Sequence, residues 1–183
     1  MTGAGTQAAE LCVLFDALFL WAERTSLRGG GEEPVYLPAD AACPVARIVF
    51  RHDYARSALH EVAHWCIAGA ERRQRTDYGY WYAPDGRDAG RQHEFERLET
   101  RPQALEWIFS EACGLRFRPS IDNLGCAAAD ATAFVQAIAQ QAQRLHVQGL
   151  PPRAERFRAV LAALTRRAAP ATWSAAALLG QAA

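Results

Sequence analysis

Lysine is absent from this 183-residue chain, whose 20 basic residues are all arginine. That excludes a Schiff-base lysine and a Walker A phosphate loop, each of which needs one. The base composition of the encoding genome is the simplest reason for the gap. Net charge is missing as well: 20 basic side chains balance 20 acidic ones, so nothing draws the whole chain to nucleic acid or to a membrane surface. Cysteines are few. The five (Cys12, Cys43, Cys66, Cys113 and Cys126) are odd in number, widely spaced and without a C-x-x-C pair, which argues against a disulfide scaffold or a cysteine zinc site. Cys66 and Cys113 read as small core residues. The most apolar stretch, residues 11–22, contains Asp16 and is too short to span a bilayer. It lacks the cationic start and early cleavage site of a signal peptide, so a cytoplasmic protein is expected.

What is present is ordinary for a globular chain, with 50% hydrophobic and 22% charged residues, and the length suits one domain over residues 1–183. Residues 6–24 read as a first helix with apolar side chains on most faces, hence largely buried. Residues 28–44 read as a loop, with Gly29-Gly30-Gly31 a flexible connector and a short extended piece at 35–37. Residues 47–50 suit a strand. After the helix discussed below, Tyr80-Trp81-Tyr82 suits a strand and Pro84-Asp85-Gly86 a turn. A long helical pattern covers residues 91–115, with Pro102 as a boundary or kink. Its inner face is drawn through Phe95, Leu98, Leu105, Phe109 and Cys113, with Glu99 beside that face and Glu96 further round. Asp130 is a candidate N-cap for a helix to about residue 147, ended by Gly149 and Pro151-Pro152. Helices at 153–167 and 171–179 complete a mainly helical α+β domain with a small sheet.

The chemistry concentrates in His60-Glu61-Val-Ala-His64, inside a run free of helix breakers until Gly69. Positions four apart on a helix lie roughly 40° apart around the axis and roughly 6 Å along it. Two imidazoles can therefore grip one ion from one side, with Glu61 on the neighbouring face, as on a zincin-like helix. Leu59, Val62, Ala63, Cys66 and Ala70 form a core-facing stripe, at whose edge the histidines fall. Asp53 or Ser57 stands near the start of the helix.

Two histidines leave a divalent metal short of protein ligands. Candidates for the third are Glu96, Glu99, His93 and Asp88; Glu99 is preferred because it follows the apolar face inward. A carboxylate beside an apolar stripe needs a partner. Two histidines and a carboxylate satisfy either of two chemistries. Zinc with bound water makes a hydrolase with Glu61 as general base, whereas iron(II) in a facial triad makes an oxygenase.

The wider pattern resembles one family. His60-Glu-Val-Ala-His-Trp-Cys-Ile-Ala-Gly69, Tyr78-Gly-Tyr-Trp-Tyr82, Pro84-Asp-Gly-Arg-Asp88, Phe95-Glu96, Glu99, Pro102-Gln-Ala-Leu105 and Asp122-Asn-Leu124 are together similar to the elongation factor P hydroxylases. The resemblance covers about residues 57–126. It implies a non-haem Fe(II) enzyme that uses molecular oxygen to hydroxylate the lysine at the tip of elongation factor P. That lysine first receives a β-lysyl group, in the pathway that helps ribosomes through proline runs. The metal ligands carry over to His60 and His64, with a downstream glutamate assigned to Glu99, and zinc can stand in for iron in purified protein. Glu61 would hydrogen-bond a metal-bound water or orient a ligand. The cationic substrate arm would meet the rings of Tyr80, Trp81 and Tyr82 and the carboxylates of Asp85 or Asp88. An acidic protein partner would favour Arg72, Arg73, Arg75, Arg87 and Arg91. The rival readings are an H-E-x-x-H zinc metallopeptidase and a binding module with a vestigial metal site.

Overall fold

A computed structural model describes residues 4–78, 89–120 and 128–179. The chain divides into two units, Met1–Gly79 with Pro151–Val160 and Tyr80–Leu150 with Leu161–Ala183. Helices predominate, beside one three-stranded sheet. Among the described residues no helix is long and apolar enough to cross a membrane.

In the first unit, helix α1 (Ala4–Phe19) precedes strands β1 (Thr25–Gly31), β2 (Val35–Leu37) and β3 (Ala46–Arg51), then helix α2 (Ala55–Ile67). The sheet order is β1-β3-β2, with β1 parallel and β2 antiparallel to the central strand. Ala46, Ile48 and Phe50 of β3 are buried and alternate with partly exposed residues, as a strand with one core face requires.

The triple glycine is not the flexible connector expected, because it closes β1. A Cβ on Gly29 would stand 2.7 Å from the His52 carbonyl oxygen and 2.9 Å from the Phe50 ring, and Gly30 has φ +94°. Only glycine lets the backbone approach that closely and turn that way. In return, the Gly30 N–H donates to the His52 carbonyl at 2.7 Å and the His52 N–H to the Gly31 carbonyl at 2.9 Å.

Helix α1 also departs from expectation. It ends at Phe19 and buries a single stripe, Ala8, Leu11, Phe15 and Phe19, while Val13 is 69% exposed. Apolar residues all round the helix did not bury it all round. Asp16 accounts for the charge inside this apolar segment: it accepts the Leu27 N–H at 3.0 Å and pairs with Arg28 at 2.6 Å, tying the helix to β1. Phe15 and Phe19 meet the Trp65 ring edge-on at 5.1 and 5.0 Å between centroids.

In the second unit, helix α3 runs unbroken from Ala89 to Cys113 with Pro102 inside it. Of the boundary or kink expected at Pro102, the boundary is absent. Pro102 supplies no N–H to the Leu98 carbonyl, and Leu98 lies at the surface, 38% exposed. Leu98 is thus misplaced on the inner face, whereas Glu99 is buried, 4% exposed. Every residue from 102 to 110 is buried, so the apolar stripe drawn on the wheel is only part of what α3 packs. Trp107 stacks on Phe117 at 5.9 Å and meets Trp173 edge-on at 4.8 Å.

Helix α4 (Ala128–Gln148) buries Phe134, Val135, Ile138, Ala139, Ala142 and Leu145. It begins two residues before Asp130, which places Asp130 inside the first turn and not at the N-cap position expected. Gly149, at φ +93°, follows its end. Helix α5 (Pro152–Thr165) contributes residues to 160 to the first unit and the remainder to the second. The last helix, α6, is short (Ala175–Leu179).

Candidate metal centre

Helix α2 is held at several points, which decide where its histidines face. Near its start the Ser57 hydroxyl accepts the Arg51 N–H at 3.1 Å, joining the helix to β3; neither Asp53 nor Ser57 caps it, since the N-cap is Tyr54. Leu59, Val62, Ala63, Trp65 and Cys66 are buried, and the aromatic grip on Trp65 resists rotation about the helix axis. Ala70, assigned to the same stripe, is exposed beyond the helix end.

At the C-terminus, Arg153 of α5 donates through Nη2 to the carbonyls of Trp65 (3.0 Å), Cys66 (3.3 Å) and Ala68 (2.6 Å). Its guanidinium lies 4.6 Å from the centre of the Trp65 ring. A cation here satisfies carbonyls that the helix leaves open and complements its dipole. Burial lowers the Arg153 pKa from its ordinary value, though an arginine remains a cation.

This anchoring leaves His60 and His64 half-buried on the helix flank. Their Nε2 atoms face each other at 3.0 Å, with rings 4.7 Å apart between centroids. That separation suits an N–H···N hydrogen bond when one ring carries the proton, so the pair is arranged to share one electrophile. A metal ion fits too. An ion bonded at ~2.1 Å to each nitrogen can bridge that 3.0 Å separation.

Glu61, half-buried, joins His64 in lining a cleft walled by Tyr36, Ile48, Arg72, Arg73 and Asp77. Its free space is about 30 Å³, enough for roughly two waters. The Tyr36–Asp77 backbone bridge closes one side, and the Tyr36 hydroxyl donates to the Arg73 carbonyl at 2.9 Å. Two of the arginines expected to serve a partner already have structural work: Arg72 pairs with Asp77, and Arg73 with Glu23 at 3.2 Å. Arg75 and Arg91 are exposed. Cys66, beside the motif, is a core residue whose thiol is pushed far up by burial; it offers no thiolate at neutral pH.

The candidates for a third ligand differ within the second unit. Glu99 is 4% exposed. Glu96 is half-buried and accepts from Gln92 Nε2 at 2.9 Å, and His93 is exposed. A deeply buried carboxylate calls for a cation, and Glu99 answers to that description. Asp88, Tyr80, Trp81, Tyr82, Asp85 and Arg87 lie outside the described residues.

Two features escaped the sequence reading. Arg153 stands 88 residues from Trp65, and no spacing rule connects them. Along α3, however, Gln92, Glu99, Gln103, Glu106 and Ser110 are all buried and fall within roughly 60° of one another around the axis. This polar seam repeats at intervals of three, four and seven, a signal that was open to reading.

Residues 14–173 match the family model of elongation factor P hydroxylase, EpmC. The chain belongs to this family. A curated relative from Haemophilus influenzae, named elongation factor P lysine hydroxylase, is 46% identical over 154 residues, 84% of this chain and 86% of the relative. The family match extends well beyond residues 57–126. It takes in the sheet, α2 with its histidines, α3 with Glu96 and Glu99, α4, and Arg153.

Proposed function

We propose that this protein hydroxylates the β-lysyl-modified lysine of elongation factor P, using Fe(II) and molecular oxygen. Family membership and the relative's name support the substrate and the hydroxylation. The metal reading rests on one observation above the others, the 3.0 Å approach of the His60 and His64 Nε2 atoms.

In this reading α2 serves as a zincin-like helix, and His60, His64 and Glu99 hold the iron. Three protein ligands leave open positions, and the bound iron supplies the activation of oxygen that an unactivated C–H bond requires. One oxygen atom enters the substrate's C–H bond; the other leaves as water with two protons and two electrons from an external donor. Burial keeps Glu99 in one orientation, and the Trp65 clamp does the same for the two imidazoles. Glu61, on the cleft side of α2, holds a water or orients a ligand by hydrogen bonding. Tyr80 and Trp81 offer ring faces to the cationic arm, each worth roughly 0.5–2 kcal/mol, and Asp85 and Asp88 offer carboxylates to its ammonium groups.

The test is mass spectrometry of elongation factor P from a deletion strain complemented with the wild-type gene or with His60→Ala. The wild type should restore the mass of one oxygen atom on the modified lysine, and His60→Ala should not. Unchanged hydroxylation in the deletion strain would refute the function. Metal analysis after anaerobic purification addresses the iron separately, since zinc competes for such ligands.

A further inference from the structure

The cleft beside Glu61 and His64 lies wholly within the first unit. It leads inward from the surface: the Arg72 side chain on its wall is 54% exposed, whereas Ile48 and Trp65 are 2% and 3% exposed. Its free space of about 30 Å³ holds roughly two waters. A lysyl arm and an organic co-substrate are both too large for it. What enters is a molecule of about that size.

The polar groups of the wall are already committed. The Tyr36 hydroxyl donates to the Arg73 carbonyl at 2.9 Å, the Arg73 guanidinium pairs with Glu23 at 3.2 Å, and Arg72 pairs with Asp77. Two wall residues carry a donor without a partner, Arg73 Nε and Trp65 Nε1. Both atoms are sealed from any water-sized space, so neither opens on the cleft. Glu61 and His64 belong to the metal motif. The rest of the wall is apolar: the Ile48 side chain, the Trp65 ring and the Ala68 methyl. Paired charges offer little to a further ion, and an apolar wall offers no hydrogen bond. The ligand that suits such a space is small, uncharged and indifferent to hydrogen bonding. Among the small molecules of the proposed reaction, dioxygen fits that description. We infer that this cleft is the route and holding site for dioxygen, which reaches the metal past His64 along a path too narrow for the substrate. The inference rests on the function proposed above. It has a consequence for binding order: since the gas does not share the arm's entrance, it can arrive after the modified lysine has covered the metal.

Dissolved dioxygen is itself the probe, because it is paramagnetic and speeds the relaxation of nuclei it touches. The measurement is methyl NMR of the full-length protein under oxygen pressure, with Zn(II) in place of iron so that the protein is diamagnetic. Ile138, fully buried in α4 of the second unit, is the reference. The Ile48 methyls should gain several-fold more relaxation than those of Ile138, and Ala68→Leu, which fills the cleft, should remove the excess. The Ala68 contacts with His64 and Arg153 run through its backbone, which the substitution keeps. In turnover, Ala68→Leu should raise KM for dioxygen several-fold and leave KM for elongation factor P and the iron content unchanged. Equal relaxation at Ile48 and Ile138, the result for a cleft that holds water only, overturns the inference. A wild-type KM for dioxygen in Ala68→Leu also overturns it. If that variant does not fold, the wild-type comparison of Ile48 with Ile138 decides. A relaxation excess at Ile48 in a protein that never hydroxylates elongation factor P refutes the proposed function and leaves the dioxygen site standing.

Discussion

Replacing Arg153 by alanine should be among the most damaging single changes far in sequence from the histidine motif. Its guanidinium serves three carbonyls at the end of α2 and covers the Trp65 ring. Its side chain is only 15% exposed. Hydrogen bonds from a charged donor contribute about 1.5–3 kcal/mol, and a partly desolvated cation–π contact about 0.5–2 kcal/mol. Water can enter the truncated site and serve some of the carbonyls, so the loss should total about 2–4 kcal/mol. For a chain of this length each kcal/mol moves Tm by ~2–4 °C, giving a fall of roughly 5–15 °C. The damage should also reach the metal. The Ala68 N–H that closes the last turn donates to the His64 carbonyl at 3.0 Å, so fraying this end loosens His64. Affinity for Fe(II) should drop by roughly tenfold, the scale of lost outer-shell support. Arg153→Lys keeps the charge without the planar fork and should fall between the two. The assays are thermal unfolding and anaerobic Fe(II) titration. A Tm within about 1 °C of wild type for Arg153→Ala, or an unchanged metal affinity, would show that α2 does not depend on this cap.

Gly29→Ala places a methyl 2.7 Å from the His52 carbonyl oxygen and should cost about 1–3 kcal/mol in chemical denaturation; a neutral result would mean that β1 yields at this point. Glu99→Gln should abolish tight Fe(II) binding whereas Glu96→Gln, which disturbs the contact with Gln92, should retain it. The reverse outcome in metal analysis reassigns the ligand. The Glu155 carboxyl is held below its ordinary pKa by its hydrogen bond from Arg158. A group depressed in this way stabilises above its unfolded pKa and loses that contribution as pH falls through its folded one. Because the Glu155 side chain is 49% exposed, Glu155→Gln should cost under about 0.5 kcal/mol at neutral pH, with the difference from wild type vanishing in acid.

The parts of the molecule that were readable beforehand are those governed by local periodicity. Histidines four apart on an uninterrupted amphipathic run face one side of one helix, and Ile48, Val49 and Phe50 gave residues 47–50 the β-branched and aromatic character of a strand. What was misread depends on partners distant in sequence. Gly29 looks like a connector until Phe50 and His52 are seen to occupy the space where its side chain would be. Leu98 was placed on the inner face because the wheel was weighted by apolar character, yet it is 38% exposed, whereas Glu99 is buried. On a helix buried on every face between residues 102 and 110, the informative arc is the polar one.

That arc also gives a long, continuous α3 a consequence. A proline at its middle would ordinarily mark a break, yet the helix runs through it, keeping Glu99 and Glu106 in fixed register on one seam. A kink at Pro102 would fall between those two glutamates and change their separation. Continuity through Pro102 therefore keeps the buried polar residues before and after it on one helix, independent of any loop.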